Sequence, residues 1–163
     1  MRQFLWLAVF GALTLAGLQP QAVEAQTSQQ APTQIPKDDP DMKAAIEAAR
    51  RTLPIFWAKF INPGPDEIDF ALKVGLRSEG RTEYFWLLDI EKRGDIIYGT
   101  IPKVPETAGS PRQGERIGFN EGEVADWIYW RKGKFIGYQT LDPLLKWMPK
   151  EKADYWRSLK EEP

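Results

Sequence analysis

Between residues 67 and 77 large apolar side chains fall on every second position. Ile68, Phe70, Leu72, Val74 and Leu76 alternate with Glu67, Asp69, Ala71, Lys73, Gly75 and Arg77. A period of two is that of a strand with one face buried. Ser78-Glu79-Gly80-Arg81 reads as a hairpin turn, and residues 82–92 repeat the alternation. There Tyr84, Trp86, Leu88 and Ile90 share one face, and Glu83, Phe85, Leu87, Asp89 and Glu91 share the other. A turn at Lys92-Arg93-Gly94-Asp95 leads to a third strand over 95–101, so this part is an antiparallel meander. Further short strands are predicted over 115–119, 126–130 and 135–138, the last two joined by the hairpin tip Arg131-Lys132-Gly133-Lys134.

Helical spacing appears at both ends of this region. Asp39 suits an N-cap, Pro40 the first helical position, and Asp41 the positive end of the helix dipole. Met42, Ala45, Ile46, Ala49 and Leu53 then make one apolar stripe, with Arg50 and Arg51 in the expected last turn. Pro54 is predicted to end this helix, because the residue before a proline avoids the α region. The run 55–61 (IFWAKFI) reads as a strand, followed by the turn cluster Asn62-Pro63-Gly64-Pro65. Residues 102–114 carry three prolines and two glycines and read as a loop. Helical turns are expected again through Leu144, Leu145, Trp147 and Met148, and after Pro149 through Ala153, Trp156 and Leu159.

The pattern gives an α+β fold: an N-terminal helix packed on a curved, largely antiparallel sheet, with C-terminal helical turns. Gly99, Gly118 and Gly137 lie inside strand patterns, where glycine marks a bulge or bend, and point to an SH3-like half-barrel. A flat sheet with one helix layer is the alternative.

Residues 1–25 read as a secretory signal peptide. Arg2 supplies positive charge, 4–18 is apolar, and Val23 and Ala25 are small residues before a cut at Gln26. The apolar run is shorter than the ~20 residues of a bilayer span. The expected location is therefore periplasmic or secreted, with no stable membrane span after cleavage. Residues 26–37 are Gln-, Thr- and Pro-rich with little to bury and read as a disordered leader; 38–163 then form one domain.

Composition removes several chemistries. The chain has no His and no Cys, so it has no Ser-His-Asp triad, no thiolate nucleophile and no His- or Cys-ligated metal. The net charge is −1, which gives no global positive field for nucleic acid. No cofactor, metal or catalytic residue is assigned. The segment Gly109-Ser110-Pro111-Arg112-Gln113-Gly114 lacks the Lys-Ser or Lys-Thr of a phosphate loop.

The surplus is aromatic: 7 Trp, 5 Tyr and 8 Phe. Flat rings with polar edges suit sugars and peptide strands. In Trp127-Ile128-Tyr129-Trp130 neighbours point to opposite faces, so both faces of that strand carry rings. One face can lie under a helix, and the other is a candidate contact surface. The candidate ligand-binding residues are Trp86, Trp127, Tyr129 and Trp130, with Arg112 and Arg116 as a small anion site. The expected role is a non-catalytic binding module with an envelope protein or glycan as partner. The alternative is a carboxylate-dependent hydrolase of envelope glycan or peptide using Glu83, Asp89, Glu91 or Asp126. Asp89 and Glu91 would stand about 7 Å apart, whereas Glu83 and Asp89 would be about 20 Å apart on one strand. Asp126 is expected to accept backbone N–H bonds at a turn.

Several segments taken in order resemble a known family. These are Glu83-Tyr84-Phe85-Trp86, Gly99-Thr100-Ile101-Pro102, Gly114-Glu115-Arg116-Ile117-Gly118-Phe119, Asp126-Trp127 and Gly137-Tyr138-Gln139-Thr140-Leu141. The ordered set, over about residues 40–150, is similar to the YegJ-like bacterial proteins, a domain of unknown function (DUF 2314). Where similar proteins carry Asn and Pro after Gly-x-Ile, this chain reads Pro102-Lys103-Val104-Pro105. The resemblance implies an envelope-associated bacterial protein and implies no reaction.

Overall fold

The computed structural model describes residues 39–78, 81–102 and 111–162. The expected signal peptide, the leader and residues 103–110 lie outside them. Helix α1 spans Pro40–Ile61 and starts as its caps dictate: the Asp39 carboxylate accepts from the N–H groups of Asp41 and Met42 at 2.8 and 3.0 Å. It does not stop at Leu53. The helix continues through Pro54 and absorbs 55–61, the stretch expected to be a strand. The apolar stripe explains this, because Ala49, Leu53 and Phe56 are buried on one side and Phe60 packs against the same core. Pro54 is exposed, so its ring meets solvent instead of a neighbour. Arg50, expected near the helix end, is mid-helix. Its guanidinium donates to the Val124 and Gly122 carbonyls at 2.8 Å each.

Seven strands follow: β1 (Glu67–Ser78), β2 (Arg81–Arg93), β3 (Ile96–Thr100), β4 (Arg116–Phe119), β5 (Val124–Arg131), β6 (Lys134–Gly137) and β7 (Lys160–Glu161). They form one open sheet in the order β4-β3-β2-β1-β5-β6-β7, antiparallel except for the parallel β6–β7 pair. Helices α2 (Leu141–Leu145) and α3 (Lys150–Leu159) fall where the sequence places helical turns. The protein is thus α+β, with an N-terminal helix on a mostly antiparallel sheet and short C-terminal helices.

Two of the three register shifts sit at aspartates. Asp69 and Asp89 have φ of 54° and 51°, and the strand register shifts at both places. Each bulge switches which side chains face the core. In β2 the buried residues are Phe85 and Leu87 before the bulge and Ile90 after it, while Tyr84 and Leu88 are exposed. The expected single face of Tyr84, Trp86, Leu88 and Ile90 is therefore split. Likewise Ile68, ahead of the β1 bulge, is exposed while Leu72 and Val74 are buried.

Both sheet faces are packed, but unequally. Under α1 lie Leu72, Val74, Phe85, Leu87, Trp127, Tyr129 and Ile136. On the other face Phe135 packs with Leu141, Leu144, Leu145, Met148 and Ala153 from α2, α3 and the turn between them. These short helices cover the β5–β6 side and leave Tyr84 and Leu88 of β2 exposed. No helix among the described residues is long and apolar enough to cross a membrane.

Candidate functional site

Period two decides which rings of β5 are available. Trp127 and Tyr129 point under α1 and are fully buried, whereas Ile128 and Trp130 pack on the opposite face. The Trp127 indole N–H donates to the Ala49 carbonyl and to Thr52 Oγ1, both at 3.1 Å, and so ties the sheet to α1. Trp127 and Tyr129, taken from the sequence as ligand contacts, are core residues.

The opposite face holds a polar node. On adjacent strands Lys73 is paired with Trp86 of β2 and with Asp126 of β5. Asp126 is fully buried and accepts four hydrogen bonds. Its donors are the N–H groups of Trp127 (2.8 Å), Gln139 (3.2 Å) and Thr140 (2.7 Å), and the Thr140 hydroxyl (2.6 Å). The turn it accepts from follows β6, and the Lys73 ammonium donates to Thr140 Oγ1 at 3.1 Å. Burial pushes the Asp126 carboxyl up; the bonds from Thr140 and Trp127 and the charge of Lys73 pull the other way.

Lys73 is collared by rings. Its Nζ lies 5.8, 5.7 and 5.9 Å from the ring centroids of Tyr84, Trp86 and Tyr138. Gly75 makes room for this arrangement: a Cβ there would stand 2.8 Å from the Tyr84 ring. Tyr138 is brought in by a strand end that only a glycine permits. Gly137 has φ of 91°, and a Cβ on it would lie 2.4 Å from the Trp127 carbonyl oxygen. Burial, with the charge of Asp126 second, pushes the Tyr138 hydroxyl up to about 12.

Beside this node is a cleft of about 300 Å³ between the sheet and the C-terminal helices. Trp86, Trp130, Tyr138 and Trp156 line it, each half-buried. Tyr138 links the group, edge-on to Trp86 at 5.1 Å and to Trp156 at 6.5 Å. Leu88, Ile128, Leu141 and Met148 complete the apolar wall, and Asp69 and Lys152 bring the charges.

Of the aromatic candidates, Trp86 and Trp130 meet in this cleft and Trp127 and Tyr129 do not. Arg112 and Arg116 lie at the β4 edge of the sheet. Arg116 donates to Glu91 Oε2 at 2.7 Å and to the Asp89 carbonyl at 3.0 Å, so its guanidinium is engaged in the fold. The Arg112 N–H donates to Glu115 Oε2 at 2.8 Å. The carboxylates weighed for hydrolysis are dispersed. Asp126 is buried, Glu91 is paired with Arg93 and Arg116, and neither these nor Glu83 nor Asp89 lines the cleft. The sequence gives no sign of Trp156 and Asp69 as cleft residues, and Tyr138, one of its strand aromatics, is not among the candidate ligand-binding residues. Trp156 was legible as an apolar helix position, but nothing in the pattern told which sheet face its helix covers.

Three of the five segments that carry the family resemblance converge here, since Tyr84, Trp86, Asp126, Tyr138 and Thr140 meet at Lys73 or its partners, while 99–102 and 114–119 lie toward the β3–β4 edge. Residues 39–159 match a family model described as an uncharacterized protein conserved in bacteria, DUF2314. The chain is 34% identical over 121 residues to the uncharacterized protein YegJ of Escherichia coli K12, covering 74% of this chain and 78% of that one. It is 27% identical over 121 residues to a putative ankyrin repeat protein of Neisseria meningitidis serogroup B, covering 69% of this chain and 48% of the relative. No solved structure matches it. The match runs from the N-cap of α1 to the last residue of α3, and on it the chain belongs to the DUF2314 family of bacterial proteins.

Proposed function

We propose that the protein is an exported, non-catalytic module of the bacterial envelope that binds a protein or glycan partner in the aromatic cleft. The observation that carries this reading is the lining: four half-buried rings around about 300 Å³, with Asp69 as its carboxylate. Aromatic side chains with one apolar face and a polar edge recur at contact surfaces. A glycosidase needs two carboxyl groups ~5–10 Å apart, and the lining offers Asp69 without a carboxylate partner. We also read the bulges at Asp69 and Asp89 as curling β1 and β2 toward the half-barrel shape, with α1 on the concave side. Export is supported by the sequence pattern of residues 1–25.

Tryptophan fluorescence reads the site directly. Titration with soluble disaccharide-peptide fragments of the cell wall, and with detergent-extracted envelope proteins, should change the emission of the wild-type chain. The W86A/W130A double variant, folded by circular dichroism, should not respond. Silence of the wild-type protein toward both fractions would sink the reading. Cell fractionation with N-terminal sequencing tests export: the expected mature chain begins at Gln26, and a full-length cytosolic chain would contradict it.

A further inference from the structure

The lining of the cleft discriminates between guests. A sugar presents hydroxyls all round, and each one buried without a partner weakens binding. The walls here are mostly apolar, so a glycan would leave many of them unpaired. A guest with a long apolar stem and one cationic end leaves none. Aromatic faces attract cations, and this fold uses that attraction already: Lys73 sits among Tyr84, Trp86 and Tyr138, and Lys92 lies 4.8 Å from the Trp57 ring centroid.

The charges in the cleft add a direction. Asp69 on the β1 bulge supplies a carboxylate, while Lys152 on α3 supplies a cation. An incoming ammonium is drawn toward Asp69 on the β1 side. Leu88 of the lining is 40% exposed, and Ile68 and Tyr84 on the same two strands are 56% and 45% exposed, apolar area of the kind a protein partner covers.

We propose that the cleft receives a lysine side chain of a partner protein, its stem between the rings and its ammonium against Asp69. This inference rests on the binding reading above and narrows it. The test uses the full mature chain with ¹⁵N-labelled tryptophan, whose indole N–H signals report on Trp86, Trp130 and Trp156 separately. The probes are Nα-acetyl-lysine methylamide, the uncharged Nα-acetyl-norleucine methylamide, choline and chitotriose. The lysine probe should shift these three signals at roughly tenfold lower concentration than the norleucine probe. Asp69→Asn should abolish that preference, so that the lysine and norleucine probes respond at similar concentrations. Asn tolerates the positive φ, so the fold should be kept, as circular dichroism can verify. Equal response to both amides, response to chitotriose alone, or response to choline without lysine would each overturn the lysine assignment and leave the binding reading standing. No response to any probe also overturns it, and the envelope titration then decides the broader reading independently.

Discussion

Tyr129 shows how period two turned a candidate ligand contact into a core residue. Its ring stacks on Phe70 at 5.1 Å and on Trp127 at 6.1 Å, and its hydroxyl is buried without a hydrogen-bond partner among the described residues. Burying such a hydroxyl costs more than burying the bare ring. Tyr129→Phe should therefore raise stability by about 0.5–2 kcal/mol in urea denaturation; a marked loss would mean that the hydroxyl has a partner. At this scale the sequence was legible where a residue's neighbours along its own strand decide its face. Trp127 and Trp130 were correctly assigned to opposite faces by counting. Which face would be sealed depended on where α1 and α3 land, and no local pattern encodes that. Asp126 was read as an acceptor of backbone N–H groups, and it is one. That three of its four bonds come from residues 139 and 140, beyond the next strand, is not visible in the local pattern.

Elements were legible wherever one periodicity ran unbroken. The meander of β1, β2 and β3 follows from alternation and turn residues. The errors fall where a local rule met a stronger tertiary force. Pro54 is a helix breaker by rule, yet the buried stripe through Leu53 and Phe56 holds α1 together across it. Replacing it tests this balance. Pro54→Ala restores an N–H to the exposed helix side, and should stabilise the protein by about 1–3 kcal/mol. A loss of stability in the denaturation midpoint would show that the ring itself shapes the helix. The bulges were missed for a related reason. Glycine is the residue expected at a bulge, whereas aspartate also enters the left-handed region. One residue gained at each bulge was enough to put Ile68 and Leu88 on exposed surface.

On the scale of the whole molecule, a largely buried carboxylate ties distant parts of the chain. Glu67 accepts from the Gly64 N–H at 2.8 Å, pairs with Lys59 of α1 at 2.9 Å, and lies 3.5 Å from Arg131 of β5. Arg131 in turn reaches Glu161 of β7 at 2.7 Å. The Gly64 bond first, and then the cations, hold the Glu67 carboxyl below its usual value of 4.5. The folded state thus favours the ionised form. Its stabilising share is complete above the unfolded value and fades as pH falls through the lowered folded value. Glu67→Gln should be less stable than wild type at pH 6, with the gap closing as pH falls below the usual carboxyl value of 4.5. A gap independent of pH in chemical denaturation would rule out this role for its charge. The overall α+β class was legible from the order of periodicities, and the aromatic surplus pointed to the right kind of surface. The location of that surface required the helix layer, which leaves the β2 side of one face bare.

The two-residue β7 has a consequence for association between molecules. It pairs in parallel with Phe135 and Ile136 and so occupies hydrogen-bonding groups that β6 would otherwise present to solvent. Deleting residues 160–163 would convert that border into a template on which a strand from a neighbouring molecule can add. Light scattering of the shortened chain should register growing particles where the intact chain gives none. Lys160 and Glu161 thus serve as a guard against self-association.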